Sequence, residues 1–373
     1  MSVFPQDTDT QTPSFAILSP TSHVPILTHM PPSSSSQTRQ RQVLIPLTMQ
    51  RPSQPDHHAQ LHDLRGFTMG TTWQVQCYAN SSIEADKLQA GIQAELDQVV
   101  AQMSPWEADS DISRFNRAAA NSWHVLPADF FKVLQHSLFV AEQTQGAYDP
   151  CIGHLANLWG FGPKGKITVA PDSTHIQQAL QASNWRQLKL NTTDQSVLQT
   201  GDLEIDLCST AKGFGVDQLA RYLQQIGIHS YLVEIGGELR GLGCKPDGQP
   251  WWANLEQLEG QTEQVEYVAA LHGLAIATSG DYQRYFIHDA KRYSHTIDPR
   301  NGYPVQHGVA SVTVLHPECM IADALATAMT VLDPEAGMDY ATRLHVAARI
   351  VVRENDAFHE HLSPTFVAMM NDD

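Results

Sequence analysis

Apolar residues recur at helical spacing in several stretches of the chain. The first stripe has five residues on one face: Leu88, Ile92, Leu96, Val99 and Met103. Ser81 and Glu84 precede it with the spacing of a capping box, which predicts a helix start at Ser81. Similar stripes predict helices at about residues 128–145, 175–182, 211–226, 319–332 and 334–344.

Alternating apolar and polar residues, many of them β-branched or aromatic, predict strands between these helices. The strand segments lie at about residues 67–79, 186–207, 231–243, 265–280 and 309–317. Strands and helices do not follow a repeating βαβ order, which favours the α+β class over a doubly wound sheet. We therefore expect one large α+β domain of mixed helix and strand content over residues 61–373.

Residues 1–60 show neither periodicity. They are rich in Pro, Ser, Thr and Gln, and Ser33 to Ser36 are consecutive serines. Such a segment buries too little apolar surface to offset the entropy lost on ordering. The sequence predicts a disordered leader over residues 1–60.

The charge balance limits the classes of partner. Twenty-three basic residues against 40 acidic ones give a net charge of −17, which argues against nucleic-acid binding. In so acidic a chain, a phosphorylated ligand would need local positive charge from a metal ion, a helix N-terminus or a few basic side chains. The five cysteines are widely spaced and include no C-x-x-C pair, so neither a zinc site nor a disulfide framework is predicted.

No run of about 18 or more apolar residues occurs, and the N-terminus has no basic segment followed by an apolar one. On these grounds alone the expected location is cytoplasmic.

A polar stretch runs from Ala277 to Pro304, ATSGDYQRYFIHDAKRYSHTIDPRNGYP. It contains two polar clusters, Ser-Gly-Asp-Tyr and Ser-His-Thr-Ile-Asp-Pro, separated by strand-forming residues around a polar turn. A hairpin here would bring the two clusters side by side. We expect this stretch to form part of a site.

The segment CSTAKGFGVD, residues 208–217, places small residues and Lys212 between a predicted strand and a helix. The free amides and positive dipole end of a helix N-terminus make this turn a candidate anion site. Gly213 and Gly215 resemble the start of a dinucleotide fingerprint, but its third glycine is replaced by Gln218. A nicotinamide oxidoreductase is an alternative that rests on these two glycines alone.

Asp323 and Thr327 lie four residues apart on a predicted helix and so share one face. A carboxylate and a hydroxyl there could both reach one hard cation, and oxygen ligands suit magnesium or calcium rather than zinc. A threonine at this spacing is also common in helices that bind no metal.

Six segments, in order, resemble those of the ApbE-like FAD:protein FMN transferases. They are Met69-Gly70-Thr71, SDISRFN (110–116), YDPCIGHLANLWGFG (148–162), AKGFGVD (211–217), YLVEIGGELRGLG (231–243), and the 277–304 stretch with IADALAT (321–327). The resemblance implies an enzyme that binds FAD with Mg²⁺ and breaks the pyrophosphate. It would transfer FMN to a Thr or Ser hydroxyl of a target protein as a phosphoester and release AMP.

The resemblance also implies the site residues. The metal ligands would be the carboxylate of Asp323, the hydroxyl of Thr327 and the backbone carbonyl of Ala211. The flavin nucleotide would contact Met69, Trp106, Ala147, Tyr148, Asp149, Cys208, Lys212 and Ile297. Trp106 stands where the family usually has Tyr and keeps a stacking surface, whereas Cys208 replaces a common Ser and weakens one hydrogen bond.

His295 and Asp281 are the candidate general bases for deprotonating the incoming hydroxyl, His295 because the ordinary pKa of histidine is near neutrality. The chain contains 18 histidines, so a single histidine is a weak signal. The alternative is that His295 only holds the hairpin or binds phosphate.

Two other functions fit the same residues: a Mg-dependent FAD pyrophosphatase that gives FMN and AMP, and a non-catalytic flavin-binding protein. The implied partners are FAD and an acceptor protein with a Thr- or Ser-containing flavinylation segment, expected to be a redox or respiratory membrane protein. The family's usual exported form carries a lipoprotein signal. The resemblance therefore implies a periplasmic or membrane-associated location, in contrast to the cytoplasmic one expected from the visible sequence.

Overall fold

The computed structural model describes residues 26–27, 40–48, 51–52, 54–258, 265–281, 284–355 and 357–370. Its strands are β1 (Ile26–Leu27), β2 (Gln40–Leu44), β3 (Gln60–Thr68), β4 (Thr71–Ala79), β5 (Ser122–Val125), β6 (Lys189–Asn191), β7 (Ser196–Gln199), β8 (Tyr231–Ile235), β9 (Glu238–Leu242), β10 (Trp251–Asn254), β11 (Val265–Leu271), β12 (Leu274–Gly280), β13 (Tyr285–His288), β14 (Lys291–Ser294), β15 (Ile297–Asp298), β16 (Tyr303–Pro304), β17 (Val309–His316), β18 (Ala347–Glu354) and β19 (Ala357–Leu362).

The helices are α1 (Ala85–Met103), α2 (Asp111–Asn116), α3 (Ala128–Gln143), α4 (Gly153–Leu158), α5 (Ser173–Ala182), α6 (Ala211–Gln225), α7 (Cys319–Val331), α8 (Pro334–Arg343) and α9 (Pro364–Met370). The predicted bounds of α3, α6 and α7 agree with the structure to within two residues. At the end of α3, Gly146 has a φ of +87° and its N–H donates to the carbonyl of Ala141 at 2.8 Å, which closes the helix.

The predicted capping box at the start of α1 is wrong. The helix begins at Ala85, and its N-cap residue Glu84 makes no side-chain capping bond. The preceding residues instead form a turn in which the side chain of Asn80 accepts a hydrogen bond from the N–H of Ser82 at 3.1 Å. This local bond competes with the capping box and delays the helix start.

The main element is an eight-stranded sheet in the order β19-β18-β17-β12-β9-β8-β4-β3, with every neighbouring pair antiparallel. Alternation along the strands gives it two apolar faces. Val75 of β4 and Val233 of β8 pack with α1 and α6, whereas Leu232 points to the opposite face. Because the strands are antiparallel and the helices lie mainly on one face, the predicted α+β class is confirmed.

A second sheet, in the order β1-β10-β11-β2, covers the opposite face together with α9. Strand β2 pairs in parallel with β11, and Leu44 is 0% exposed within this layer. The N–H of Ile45 donates to the carbonyl of Met369 at 2.9 Å. Residues 40–44 therefore form a strand inside the segment for which the sequence predicts disorder, while most of that leader lies outside the described residues.

The remaining strands form small sheets at the edge of this core: β5-β7-β6, β13-β14 and β15-β16. The predicted hairpin within residues 277–304 is confirmed by the antiparallel pairing of β13 with β14. In the part of the chain that the structure describes, no helix is both long enough and apolar enough to cross a membrane.

Candidate active site

Helix α6 begins directly beside helix α7. Asp323 on α7 accepts a hydrogen bond from the backbone N–H of Gly213 at 3.0 Å. Gly213 lies in the first turn of α6, whose N-cap residue Thr210 makes no side-chain capping bond. Asp323 takes over that role and is held at the positive end of α6.

Helix α7 is held in return by a side chain of α6. Its N-cap residue Glu318 makes no capping bond. Instead the carboxylate of Asp217 accepts hydrogen bonds from the N–H groups of Cys319 at 3.0 Å and Met320 at 2.9 Å. Arg240 forms an ion pair with the same carboxylate. The two helices therefore cap each other, and this exchange fixes the position of Asp323.

The glycine at position 213 permits this close approach. A Cβ atom there would lie 2.5 Å from the carbonyl oxygen of Cys319 and 2.8 Å from the Cβ of Asp323, distances that real Cβ atoms do not tolerate. A Cβ atom at Gly215, two residues further on, would lie 3.1 Å from the end of the Met69 side chain and 3.2 Å from that of Ile235. Helix packing thus accounts for both glycines of the apparent dinucleotide fingerprint.

The three predicted metal ligands lie on the two helices of this junction, Asp323 and Thr327 on α7 and Ala211 at the start of α6. Asp323 is 4% exposed, and burial raises the pKa of its carboxyl group, opposed by the charge of Lys212 and the N–H of Gly213. One turn along α7, the hydroxyl oxygen of Thr327 lies 3.1 Å from that of Ser279 on β12. The first turn of α6, which starts at Ala211, is joined to Asp323 by the Gly213 bond.

All three predicted ligands offer oxygen: a carboxylate, a hydroxyl and a main-chain carbonyl. A buried carboxylate with one hydrogen-bond donor favours a cation nearby, and hard oxygen donors suit Mg²⁺. The residues present therefore fit a magnesium ion. Among the described residues, no group of three or more His, Cys, Asp or Glu side chains could hold a metal, so a site here would depend on the hydroxyl and the carbonyl.

Lys212 faces the same junction and is paired. Its Nζ lies 2.5 Å from Oε1 of Glu238, the first residue of β9. Burial lowers the pKa of Lys212, but the negative charges of Glu238 and Asp323 outweigh it and raise the pKa above its ordinary value. Lys212 therefore keeps its charge while remaining 32% exposed.

Glu238 is a buried acid beside the predicted metal ligands. It is 2% exposed. Burial raises the pKa of its carboxyl group, and the positive charge of Lys212 opposes this rise. Its second oxygen, Oε2, has no hydrogen-bond partner within the described ranges. The carboxylate thus has one oxygen that is bonded to Lys212 and one that is not.

The β13–β14 hairpin is fixed by an aromatic cluster made of Trp159, Phe161, Phe286 and Tyr293. Phe286 stacks on Tyr293 with ring centres 5.1 Å apart, and Tyr293 stacks on Trp159 at 5.4 Å. Trp159 also donates from Nε1 to the carbonyl of Gly302 at 2.8 Å. The glycine- and aromatic-rich segment after Tyr148 therefore positions the hairpin.

His295 follows β14 directly and contacts the aromatic cluster through Phe161, edge to face, with ring centres 6.2 Å apart. Its Nδ1 is buried and has no hydrogen-bond partner in the described part of the chain. Burial and, next, the positive charge of Arg284 lower the pKa of His295 to about 4. The ring is therefore neutral at pH 7 and able to accept a proton.

Asp281, the other predicted base, is held by two arginines. Arg292 contacts its Oδ2 at 2.7 Å and Arg353 contacts the same oxygen at 3.1 Å. These ion pairs join the end of β12 to the hairpin and to β18. Because its carboxylate is occupied in this way, the geometry favours His295 over Asp281 as the proton acceptor.

Three of the predicted nucleotide residues surround the start of α6. The hydroxyl of Tyr148 is hydrogen-bonded to Thr210 and lies 3.1 Å from the Ser209 hydroxyl. Cys208 lies just before them, and burial raises the pKa of its thiol well above the ordinary value. Met69 has a φ of +49° in the two-residue turn between β3 and β4, and its side chain reaches Gly215.

The other predicted nucleotide residues differ in their surroundings. Ala147 is fully buried. Asp149 accepts hydrogen bonds from the N–H groups of Cys151 and Trp185, and burial raises its pKa to about 6. Ile297 is buried in a cluster with Trp159. Trp106 is 51% exposed in the loop before α2, which leaves its ring free to stack.

Sequence reasoning missed three charged residues of this region: Asp217, Glu238 and Arg284. Asp217 and Glu238 both lie within segments used for the resemblance. Their roles depend on partners more than 20 residues away, Met320 for Asp217 and Lys212 for Glu238. No local periodicity signals such a pairing.

Comparison with known proteins places the chain among flavin transferases. The model of the ApbE family matches residues 69–350. A Haemophilus influenzae protein named FAD:protein FMN transferase is 38% identical over 310 residues, which is 81% of this chain and 90% of the relative. The Escherichia coli K12 protein of the same name is 34% identical over 326 residues, covering 86% and 93% of the two chains.

Two solved structures are also similar. The apo form of the flavinyl transferase ApbE of Pseudomonas stutzeri has a TM-score of 0.78 at 34% identity and covers 84% of this chain and 98% of that one. The flavin transferase ApbE from Vibrio cholerae has a TM-score of 0.77 at 36% identity, covering 83% and 99%.

Proposed function

Because this chain belongs to the ApbE family, we propose a specific course for the reaction that its relatives' name describes. The chain is an FAD:protein FMN transferase: it transfers FMN from FAD to a target protein. We infer that Mg²⁺ is the cation used and that a Thr or Ser hydroxyl of the acceptor is the attacking group.

The proposed transfer is a displacement at phosphorus. The acceptor oxygen forms a bond to the phosphorus of the FMN half, and the bond from that phosphorus to the bridging oxygen breaks. The electron pair of the broken bond stays on AMP, which leaves as a phosphate monoester. The hydroxyl proton passes to a base, so the product is a flavinylated Thr or Ser.

In such a reaction the protein acts by positioning and by neutralising charge. When bound, Mg²⁺ would supply Lewis-acid stabilisation of the phosphoryl oxygens, held by Asp323, Thr327 and the carbonyl of Ala211. Lys212 adds a permanent positive charge, which Glu238 holds in place at 2.5 Å. The positive end of the α6 dipole lies at the same place, but the N–H groups of Ala211, Gly213 and Phe214 already donate to Leu207, Asp323 and Thr210.

His295 is the proposed base. It is neutral at pH 7 because burial and Arg284 lower its pKa to about 4, and its Nδ1 has no partner among the described residues. A buried nitrogen without a partner is able to accept the hydroxyl proton. Asp281 then serves as an anchor for the hairpin through its two arginines.

The observation that carries the metal proposal is the bond between Asp323 and the N–H of Gly213. It holds a buried carboxylate at the N-terminus of α6, and the hydroxyl of Thr327 follows one turn along α7. A phosphate placed there would meet the cation and Lys212 together, at the positive end of the α6 dipole. We expect the acceptor to be a redox or respiratory membrane protein with a Thr- or Ser-containing segment.

The test combines the chain, FAD, Mg²⁺ and an acceptor domain, and follows acceptor mass and free nucleotides. Transfer gives an acceptor with an FMN adduct and one AMP per adduct. Free FMN and AMP with an unmodified acceptor would instead make the chain a pyrophosphatase, and unchanged FAD would make it a flavin-binding protein.

Asp323→Asn tests the metal site in the same assay. We expect transfer to fall by about 100-fold or more, because the carboxylate supplies the charge that holds the cation. Binding of Mn²⁺, measured by its paramagnetic resonance, should weaken in parallel. The control is Asp339→Asn, an exposed aspartate on α8, which should change neither. Full transfer by Asp323→Asn, or in excess chelator, would disprove the assignment.

A further inference from the structure

Arg284 lies directly across the hairpin from His295. The N–H of His295 donates to the carbonyl of Arg284 at 3.0 Å, which extends the β13–β14 register one pair beyond Tyr285 and Ser294. Opposed residues of an antiparallel pair project from the same face of the sheet, with Cβ atoms about 4.5–5.5 Å apart. The side chain of Arg284 therefore shares a face with His295 and Phe286, the face that meets the aromatic cluster.

The charge of Arg284 is not neutralised by an acid. Within the described ranges no carboxylate pairs with this exposed arginine, whereas Arg292 and Arg353 both pair with Asp281. Arg284 is thus a free cation at the edge of the site, in a chain whose net charge is −17.

Arg284 and Lys212 both act on two groups of the site. Burial is the main cause of the lowered pKa of His295, and the charges of Arg284 and Lys212 lower it further. Burial, followed by the charge and hydrogen bond of Asp206, raises the pKa of the Cys208 thiol, and the charges of Arg284 and Lys212 oppose this rise. Two cations on different elements, the hairpin and α6, therefore act on the same two groups, and a polyanion bound between them would be stabilised by both.

We propose that Arg284 binds the pyrophosphate of FAD and neutralises the negative charge on its phosphate oxygens during the displacement. This inference rests on the proposed function. A guanidinium presents parallel N–H donors that match two phosphate oxygens, and those of Arg284 are not engaged by an acid. Lys212 differs because its ammonium is bound to Glu238.

Arg284 acts on charge and not on the proton. In the displacement, the hydroxyl proton goes to His295, because a positive charge cannot take a proton. The negative charge is carried by the oxygens of the diphosphate, and a cation beside His295 stabilises it there.

The test compares Arg284→Met, which keeps the aliphatic stem and removes the charge, with Arg284→Lys, which keeps the charge. FAD and ADP are titrated separately with Mg²⁺ and without acceptor, by flavin fluorescence and calorimetry. We expect Arg284→Met to weaken binding of both nucleotides by roughly 10- to 100-fold, as for the loss of charged hydrogen bonds. Arg284→Lys should weaken it less.

Lys291→Gln is the matched control. Lys291 lies on the same hairpin, at the first position of β14 and away from His295, and its substitution should leave both affinities within about 2-fold of wild type, since it touches no phosphate. The thermal unfolding midpoint of each variant is compared with wild type to detect a disturbed hairpin. Wild-type affinity for FAD in Arg284→Met, or equal losses in Lys291→Gln, would overturn the proposal.

These outcomes are distinguishable from failure of the proposed function. If the wild-type chain binds FAD but attaches no FMN to the acceptor, the transfer proposal fails while the role of Arg284 is still measured by binding. If transfer occurs and Arg284→Met binds FAD normally, the role of Arg284 fails alone.

Discussion

The environment of His295 gives this residue properties that histidines on the surface lack. Its ring is buried beside Phe161, and the charges of Arg284 and Lys212 lower its pKa while that of Asp281 raises it. Burial is the largest of these influences, and the pKa falls to about 4. Because a protonated ring cannot accept a proton, the sign of this shift keeps His295 competent as a base at all pH values above about 5.

We predict that the ring of His295 titrates with a midpoint near pH 4, well below the ordinary histidine value of 6.5. Nuclear magnetic resonance of the ring proton, assigned with the His295→Gln variant, measures this midpoint at the residue itself. His295→Gln should lower transfer by about 100-fold or more, typical of a lost general base. A midpoint near 6.5 together with full transfer by the variant would leave His295 only a role in holding the hairpin.

At this scale the sequence predicts residue identities better than residue roles. Their spacing and the resemblance predict Asp323 and Thr327 as metal ligands, and the structure brings Asp323 to the start of α6. Asp281 has the same polar surroundings in sequence as His295, yet its ion pairs with Arg292 and Arg353 involve residues 11 and 72 positions away. Such partners are set by the fold and not by neighbouring residues.

The contact between helices α6 and α7 depends on one glycine, Gly213. Their approximate bounds were predictable because each helix carries apolar residues at helical spacing. The close contact between the two helices was not predictable. It depends on the absence of a side chain at Gly213, where a Cβ atom would lie 2.5 Å from the carbonyl oxygen of Cys319. The start of α1 was mispredicted for the opposite reason: a local turn around Asn80 displaced the capping box.

We predict that Gly213→Ala destabilises the fold by about 1–3 kcal/mol, as overpacking does, and also impairs transfer because it moves Asp323. Gly215→Ala is the matched control, in the same helix. Its Cβ would meet only the ends of the flexible Met69 and Ile235 side chains, and the gain in helix propensity offsets the crowding to within about 1 kcal/mol. Chemical unfolding and the transfer assay measure both variants. Equal behaviour of the two would contradict the packing argument.

The whole molecule is layered, with helices, the eight-stranded sheet and then the smaller sheet with α9. The class was predictable from the order of elements, but the strand order was not. Strand β4 pairs with β8, which is more than 150 residues away for Trp73 and Ile235, and such pairing is selected by packing of both faces. Strand β2 was missed because its five residues, Gln-Arg-Gln-Val-Leu, show no alternation of apolar and polar positions and lie in a segment rich in Pro, Ser, Thr and Gln.

We predict that strand β2 contributes measurably to the stability of the whole chain. Leu44→Ala should lower the free energy of unfolding by about 2–5 kcal/mol, as for other fully buried leucines. Leu47, three residues on, is 57% exposed, so Leu47→Ala should change it by less than about 0.5 kcal/mol. Urea unfolding measures the free energy of unfolding of both variants. Equal and small losses in the two would mean that strand β2 does not join the core in solution.

The mutual capping of α6 and α7 makes the site sensitive to chain length as well as to residue type. Gly213 and Asp217 are four residues apart, as are Cys319 and Asp323, so each helix contributes one turn between its two contacts. One turn spans about 5.4 Å, and each residue rotates the helix by about 100°. A single inserted residue within either turn would swing a carboxylate to the wrong face, so these two segments tolerate no change of length even where they tolerate a change of sequence.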